Sequence, residues 1–143
     1  MTDLLDVNVL VSLAWPNHVH HARAVRWFAG RSGPWATTPV TENGFVRVSS
    51  NRAAIPTAVS PGEALQLLSR ITGVDGHRFL ADDVPAVVGD SLVDAARLVS
   101  HRYVTDAHLL ALARRHGARL VTLDAGIRGL AGGEPDDVVV LPR

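Results

Sequence analysis

Four acidic residues stand at the boundaries between predicted strands and predicted helices: Asp6, Glu42, Asp106 and Asp124. Two of them follow apolar runs, at residues 4–5 and 120–123, and the other two lie in the first turn of predicted helices. Ligands of parallel α/β sheets bind at the carboxyl ends of the strands, so we expect the four side chains at one edge of a sheet. The predicted helix 106–116 and strand 120–124 each span about 16 Å, which returns Asp124 to the height of Asp106.

A group of carboxylates at one edge requires compensation of its charge. Two negative charges about 5 Å apart repel by about 3 kcal/mol at an effective dielectric constant of about 20. A divalent cation reverses that sign, and hard oxygen ligands without cysteine suit Mg²⁺ or Mn²⁺. A cation held in this way activates water and stabilises charge on a phosphodiester, which is the chemistry of metal-dependent nucleases.

The same residues have a purely structural interpretation. An acid in the first turn of a helix is commonly a cap or a partner of the helix dipole, which applies to Glu42 and Asp106. An acid that ends an apolar strand, such as Asp6 or Asp124, has no capping role unless a helix begins there. Spacing alone therefore leaves the metal site and the structural interpretation open.

The elements that position these acids alternate along the chain. Apolar runs predict five strands, at residues 4–5, 35–38, 78–80, 120–123 and 138–141. Helical spacing predicts helices at residues 18–30, 39–49 and 61–72, and a further helix that is capped by Asp90 and includes Val99. Thr105 is predicted to cap the helix that carries Asp106, and Gly117 to end it. The fold class is α/β, a mainly parallel sheet covered on both faces.

Composition narrows the function further. The 143 residues suit one domain, residues 1–143. Fourteen arginines balance fourteen acids, so the net charge is zero and any phosphate-binding surface must be local. The absence of lysine and cysteine excludes a P-loop lysine, a Schiff base, a thiol nucleophile and a thiolate zinc site. No apolar run approaches the roughly 18 residues of a membrane span, and no secretion signal is present, so we expect a soluble cytoplasmic protein.

Three segments resemble motifs of a known family: residues 4–10 (LLDVNVL), 105–111 (TDAHLLA) and 120–124 (LVTLD). They are similar to the first, third and fourth acidic motifs of PIN-domain ribonucleases, and most of all to the VapC toxins of bacterial toxin–antitoxin pairs. Glu42 matches the second motif. The resemblance implies a PIN-like three-layer α/β/α sandwich with a small, mainly parallel central sheet. It also implies Mg²⁺-dependent endoribonuclease activity with Mn²⁺ as a substitute, a cognate VapB-type antitoxin, and homodimerisation.

The resemblance assigns the catalytic and metal-binding roles to the same four acids: Asp6, Glu42, Asp106 and Asp124. By this assignment Asp6 and Asp106 ligate the metal directly, and the other two complete the negative pocket through water or a second metal. Asn8 would hold the first acid, and Thr105 would support the site.

Two positions depart from the family pattern. Val7 stands where many members have threonine, and Ala125-Gly126 stands where members often have a basic residue after the fourth acid. A local phosphate contact is therefore missing directly after Asp124. The remaining phosphate candidates are four arginines: Arg23, Arg26, Arg47 and Arg52. A cluster of histidines is assigned to a helix start or to the RNA-binding edge rather than to a metal site: His18, His20 and His21.

Three other functions are alternatives for the same residues. A PIN-type nuclease for RNA maturation would use the same chemistry without an antitoxin. A non-catalytic RNA- or protein-binding domain on the same fold would have no use for four clustered acids. A phosphate-receiving signalling domain also gathers acids at strand ends, but it requires a lysine, and the chain has none.

Overall fold

In the computed structural model, which describes residues 1–85 and 92–143, five short strands form one sheet. They are β1 (Thr2–Leu5), β2 (Trp35–Thr37), β3 (His77–Phe79), β4 (Ala118–Thr122) and β5 (Val138–Val140). Their order is β3-β2-β1-β4-β5, and every neighbouring pair is parallel. β1 therefore lies in the centre of the sheet, and all four of its residues are buried.

Helices cover both faces of the sheet: α1 (Val7–Ala14), α2 (His21–Gly30), α3 (Pro39–Ser49), α4 (Pro61–Thr72) and α5 (Val104–Arg115). Successive residues of a strand point to opposite faces. Leu4 and Leu120 accordingly pack with α5 in one core cluster, whereas Leu5 and Val121 pack with α1 to α4 in the other. This arrangement confirms the predicted three-layer α/β/α sandwich. In the described part of the chain, no helix is long and apolar enough to cross a membrane.

Local signals begin α4 and end α5 where the sequence predicts. Pro61 opens α4 behind a capping box, in which the Glu63 N–H donates to Ser60 Oγ (3.2 Å) and the Ser60 N–H donates to Glu63 Oε2 (3.3 Å). Gly117 follows α5 with a φ of +64°, a left-handed conformation that favours glycine and turns the chain into β4.

The predicted helix around Val99 is wrong. Asp90, its predicted cap, lies outside the described residues, and residues 92–103 contain two 3₁₀ turns, Ala95–Arg97 and His101–Tyr103. Asp94 and Ser100 each begin a turn by accepting a hydrogen bond from the backbone N–H two residues on. Such side chains offer the backbone an alternative to the α-helix.

Two helix starts also differ from prediction. α2 begins at His21 rather than at residue 18, because His18 Nδ1 accepts a hydrogen bond from the His20 N–H and holds a turn there. α5 begins at Val104 directly after a 3₁₀ turn, so the chain enters the helix already turning. Thr105 is therefore its second residue and not its N-cap.

The direction of strand succession reverses at β1. The chain passes from β1 to β2 and β3 with α1 to α4 on one face, and then crosses by way of α5 on the other face to β4 and β5. In open α/β sheets, ligands bind at such a switch point, outside the carboxyl ends of the strands. The crevice lies here between the ends of β1 and β4, which lead into Asp6 and Asp124.

Candidate active site

Asp6 lies at the carboxyl end of β1 and is 7% exposed. Its backbone N–H extends the ladder between β1 and β4 by donating to the Val121 carbonyl (2.9 Å). The Val7 N–H donates to its Oδ1 (2.7 Å), and the Thr122 hydroxyl donates to its Oδ2 (2.8 Å). Asp6 therefore caps α1 with one oxygen, while the neighbouring strand fixes the other.

Thr122 and Asn8 tie the ends of β1 and β4 together. The Thr122 hydroxyl oxygen accepts from the Asp124 N–H (3.1 Å) and from Asn8 Nδ2 (3.4 Å), and Asn8 Oδ1 accepts from the Leu123 N–H (3.3 Å). Asn8 thus reaches Asp6 through Thr122, which is not among the predicted site residues. The sequence could have indicated Thr122 by its place two residues before Asp124, since alternate residues of a strand share a face.

Asp6, Asp106 and Asp124 line one open cleft of about 410 Å³, the acid cleft. Asn8 contributes to its lining, together with apolar side chains of α1, α3 and the loop after α3. Burial, followed by the charges of Asp6 and Asp124, raises the pKa of Asp106 to about 6. Burial also raises the pKa of Asp6, and the charge of Asp124 adds to that, against the hydrogen bonds from Thr122 and Val7. The three carboxylates are therefore near enough to act on one another.

Capping accounts for only part of this cluster. Asp124 Oδ1 accepts from the Gly126 N–H (2.8 Å) and begins the 3₁₀ turn Ala125–Leu130, much as Asp6 begins α1. Asp106 lies in the first turn of α5, and within residues 1–85 and 92–143 its carboxylate accepts no hydrogen bond. None of the three acids forms an ion pair within those ranges. The fold leaves this negative charge uncompensated.

The donor set fits a hard divalent cation. Among the residues that the structure describes, no three His, Cys, Asp or Glu side chains converge into a ready-made metal cage. Mg²⁺ does not require one, because it is usually held by one or two carboxylates, with waters and substrate phosphates in its other positions. A closed structural zinc site, by contrast, needs four protein ligands.

Glu42 lies near the same edge but outside the acid cleft. It occupies the first turn of α3, and its Oε1 accepts a hydrogen bond from the Thr37 hydroxyl at the end of β2 (2.8 Å). That hydroxyl is also 2.7 Å from His77 Nε2. Burial lowers the pKa of His77, and the charge of Glu42 opposes this change. The structure thus brings three of the four predicted acids together and holds the fourth at β2.

Thr105 and His18 differ in whether they line the acid cleft. Thr105 is exposed, does not line the acid cleft, and makes no side-chain hydrogen bond within the described ranges. His18 does line the acid cleft, and its Nδ1 accepts from the His20 N–H (3.1 Å). Burial lowers the pKa of His18, as do the charges of His20 and His21, so the neutral ring is favoured and carries its proton on Nε2.

Comparison with known proteins shows the family of the chain. The chain matches the family model described as PIN domain over residues 4–133. It is 55% identical to Ribonuclease VapC39 of Mycobacterium tuberculosis (strain CDC 1551 / Oshkosh) over 128 residues, which cover 89% of this chain and 91% of that relative. It is 53% identical to Ribonuclease VapC38 of M. tuberculosis (strain ATCC 25618 / H37Rv) over 139 residues, 96% of each chain.

A solved structure has a similar fold. The crystal structure of M. tuberculosis VapC20, described as a Sarcin-Ricin loop cleaving toxin, matches with a TM-score of 0.65. The match covers 98% of this chain and 99% of the other at 17% sequence identity, so it bears on the fold alone. The family model and the two relatives confirm the resemblance that the acidic motifs indicate. The chain belongs to the PIN-domain family and, within it, to the VapC group.

Proposed function

We propose that this chain is a metal-dependent endoribonuclease whose catalytic centre is the acid cleft. One observation carries the proposal: Asp6, Asp106 and Asp124 share a cleft without a cationic partner in the described residues, and their mutual charge contributes to an Asp106 pKa of about 6. A bound cation would compensate this charge. The names of the relatives, which are ribonucleases, support RNA as the substrate.

Each of the four predicted acids has a role in this proposal, three of them inside the acid cleft and Glu42 beside it. Asp6 and Asp106 would hold Mg²⁺, or Mn²⁺ in its place, and Asp124 and Glu42 would act through water or a second metal. The bound metal would supply an activated water and stabilise the charge that develops on the phosphodiester. Thr122 fixes the first carboxylate from the neighbouring strand, and outer partners of this kind orient metal ligands before the metal arrives.

The decisive experiment is RNA cleavage by the purified chain in Mg²⁺, in Mn²⁺ and in EDTA, beside Asp106→Asn. We expect cleavage to require the metal and to fall in the variant by more than the roughly 100-fold that loss of an outer-shell partner can cost. Asp94→Asn is the matched control. Asp94 is an exposed acid outside the cleft, and asparagine also caps a turn.

Metal binding gives a readout that does not depend on activity. Mg²⁺ at about ten times its Kd should stabilise the wild-type chain by about 1.4 kcal/mol, and Asp106→Asn should lose most of that gain. Binding without cleavage of any RNA tested would contradict a general ribonuclease and indicate a narrow substrate. If the chain neither binds the metal nor cleaves RNA, the acids have only capping roles, and a non-catalytic binding domain is favoured.

We also propose that the chain is the toxin of a VapBC-type pair, with an antitoxin partner, and that it forms a homodimer. Membership of the VapC group supports this proposal. Expression should arrest growth, Asp106→Asn should not, and co-expression of the antitoxin should restore growth. An RNA-maturation nuclease would cause no arrest. Light scattering should give a mass near twice 15.3 kDa.

A further inference from the structure

A second cleft lies beside the acid cleft, toward the end of β5. It has a volume of about 830 Å³, and its lining includes Leu123 and Ala125, the chain neighbours of the fourth acid. Four basic residues lie in its wall, and no Asp or Glu of the described ranges does: His20, Arg23, Arg128 and Arg143. We call it the basic cleft. A chain of zero net charge thus concentrates positive charge next to its acid cleft.

Arg23, on α2, has a fixed place in the basic cleft. Its Nε donates to the Pro142 carbonyl (2.8 Å), and its Nη2 donates to the Leu141 carbonyl. Both acceptors are neutral backbone groups, and Arg23 forms no ion pair with any residue that the structure describes. The guanidinium is therefore oriented without being neutralised, and its charge can act on an anion in the cleft.

Arg128 is a further arginine in the wall of the basic cleft. It lies on the 3₁₀ turn that Asp124 begins, four residues after that acid, and its side chain is exposed. It also borders a groove that Asp136 and Asp137 line, but Asp137 is already paired with Arg114 at 2.7 Å. Arg128 itself forms no ion pair within residues 1–85 and 92–143.

Packing at Gly126 excludes a basic side chain at that position. A Cβ there would collide with the Tyr103 hydroxyl and would lie 3.1 Å from Asp124 Oδ1, the same oxygen to which the Gly126 N–H donates. Ala125 carries no charge and Gly126 has little room for a side chain, so a basic contact on this side of Asp124 requires a residue further along the chain. Arg128 is the first basic residue after Asp124.

We propose that the basic cleft binds backbone phosphates of the RNA strand that continues from the acid cleft past Asp124, with Arg128 and Arg23 as the phosphate-contacting residues. The proposal rests on the proposed ribonuclease function. An RNA strand at the acid cleft meets three carboxylates that repel its phosphates, so positive charge nearby is needed to hold it. Leu123 and Ala125 line the basic cleft, and Asp124, which lies between them in the chain, lines the acid cleft, so the two clefts adjoin at residues 123–125. Contacts of this kind position a strand without reading its sequence.

The test measures RNA binding apart from cleavage. The full chain carrying Asp106→Asn is titrated against a fluorescent single-stranded RNA in EDTA, by anisotropy, at several salt concentrations. Adding Arg128→Gln should weaken binding about threefold to tenfold and lower the slope of log K against log salt by about 0.7, the value for one phosphate contact on a single strand. Arg23→Gln should act similarly, whereas Arg23→Lys should keep the slope.

Arg70→Gln is the matched control, because Arg70 is an exposed arginine in the last turn of α4 and lines neither cleft. It should change neither affinity nor slope. Equal affinity and slope in Arg128→Gln and its parent would overturn the inference, even if the wild-type chain cleaves RNA in Mg²⁺. A loss of binding in Arg128→Gln, in a chain that never cleaves RNA, would support the basic cleft and remove the proposed activity instead.

Discussion

Asp3 lies near the amino end of β1 and Asp6 directly follows its carboxyl end, and both are almost fully buried, at 3% and 7% exposed. Asp3 pairs in register with Arg119 of β4, whose Nη2 and Nε lie 2.7 Å and 2.9 Å from Asp3 Oδ1. Asp6, three residues later, meets Thr122 of the same strand. The pair of strands β1 and β4 thus neutralises the buried carboxylate of Asp3 at its amino end. At its carboxyl end it holds the carboxylate of Asp6 in place without neutralising it.

The difference teaches what separates a structural acid from a functional candidate. Burial does not separate them, since both side chains are equally enclosed. The partner does: an arginine compensates the charge, whereas a hydroxyl and a backbone N–H orient the carboxylate and leave most of its charge to a ligand. The same contrast extends to Asp106, which has no cationic partner within the described ranges.

Removing the ion pair between Asp3 and Arg119 should have the largest effect on stability. Asp3→Ala leaves Arg119 without its partner and should lower the free energy of unfolding by about 2–3 kcal/mol. This is below the roughly 3–5 kcal/mol of a fully buried pair, because the Arg119 side chain remains 35% exposed. Urea unfolding at pH 7 measures the change.

A double variant makes that comparison sharper. Replacing both partners, as in Asp3→Ala with Arg119→Met, removes the unpaired charge and should recover much of the loss. If the double variant were as unstable as the sum of the two single variants, the pair would not be coupled, and the contrast between the two ends of β1 would lose its basis.

The uncompensated end depends on Thr122 for its geometry. Thr122→Val keeps the shape of this fully buried residue but removes the hydroxyl that Asp6, Asn8 and the Asp124 N–H share. We expect a loss of about 1–2 kcal/mol in unfolding free energy, and a further rise in the pKa of Asp6, which this hydroxyl lowers. Thr122→Ser should restore both. Titration of the carboxyl by NMR measures the pKa, and an unchanged value in Thr122→Val would contradict the role of the hydroxyl.

The sequence predicts the sheet and the edge but not which acids meet there. Apolar runs and helix spacing give the α/β class, and element lengths give the height of each acid along the strands. Lateral position depends on strand order, which only the folded chain sets. Glu42 and Asp106 both lie in the first turn of a helix, yet only Asp106 reaches the crevice between β1 and β4, while Glu42 stays hydrogen-bonded to Thr37 on β2.

The sequence does not reveal residues whose roles depend on which strands pair and in which register. A threonine in an apolar strand is typical of a core position, since β-branched residues suit strands. Thr122 becomes a site residue only because the register Leu5 with Val121 sets it beside Asp6. The wrong helix near Val99 has a different origin, because Asp94 and Ser100 bond locally to the backbone where the apolar pattern alone indicates a helix.

The smallest predicted effect on the free energy of unfolding has the opposite sign to that of Asp3→Ala, because removing the Asp106 charge should stabilise the chain. The pKa of Asp106 rises from 3.8 to about 6 on folding, so the folded chain binds more protons between these values and loses stability as the pH rises through them. Asp106→Asn does not titrate, and in EDTA at pH 7 it should be more stable than the wild type by about 1 kcal/mol, after allowance for solvent screening of a half-buried group. The gain in stability should shrink toward pH 4, and saturating Mg²⁺ at pH 7 should make the wild type the more stable of the two proteins.

Urea midpoints between pH 4 and pH 7.5 measure this pH dependence, with Asp94→Asn expected to follow the wild type. A loss of stability in Asp106→Asn at pH 7 would mean that this acid, like Asp3, serves the fold, and the two ends of the sheet would no longer differ in kind.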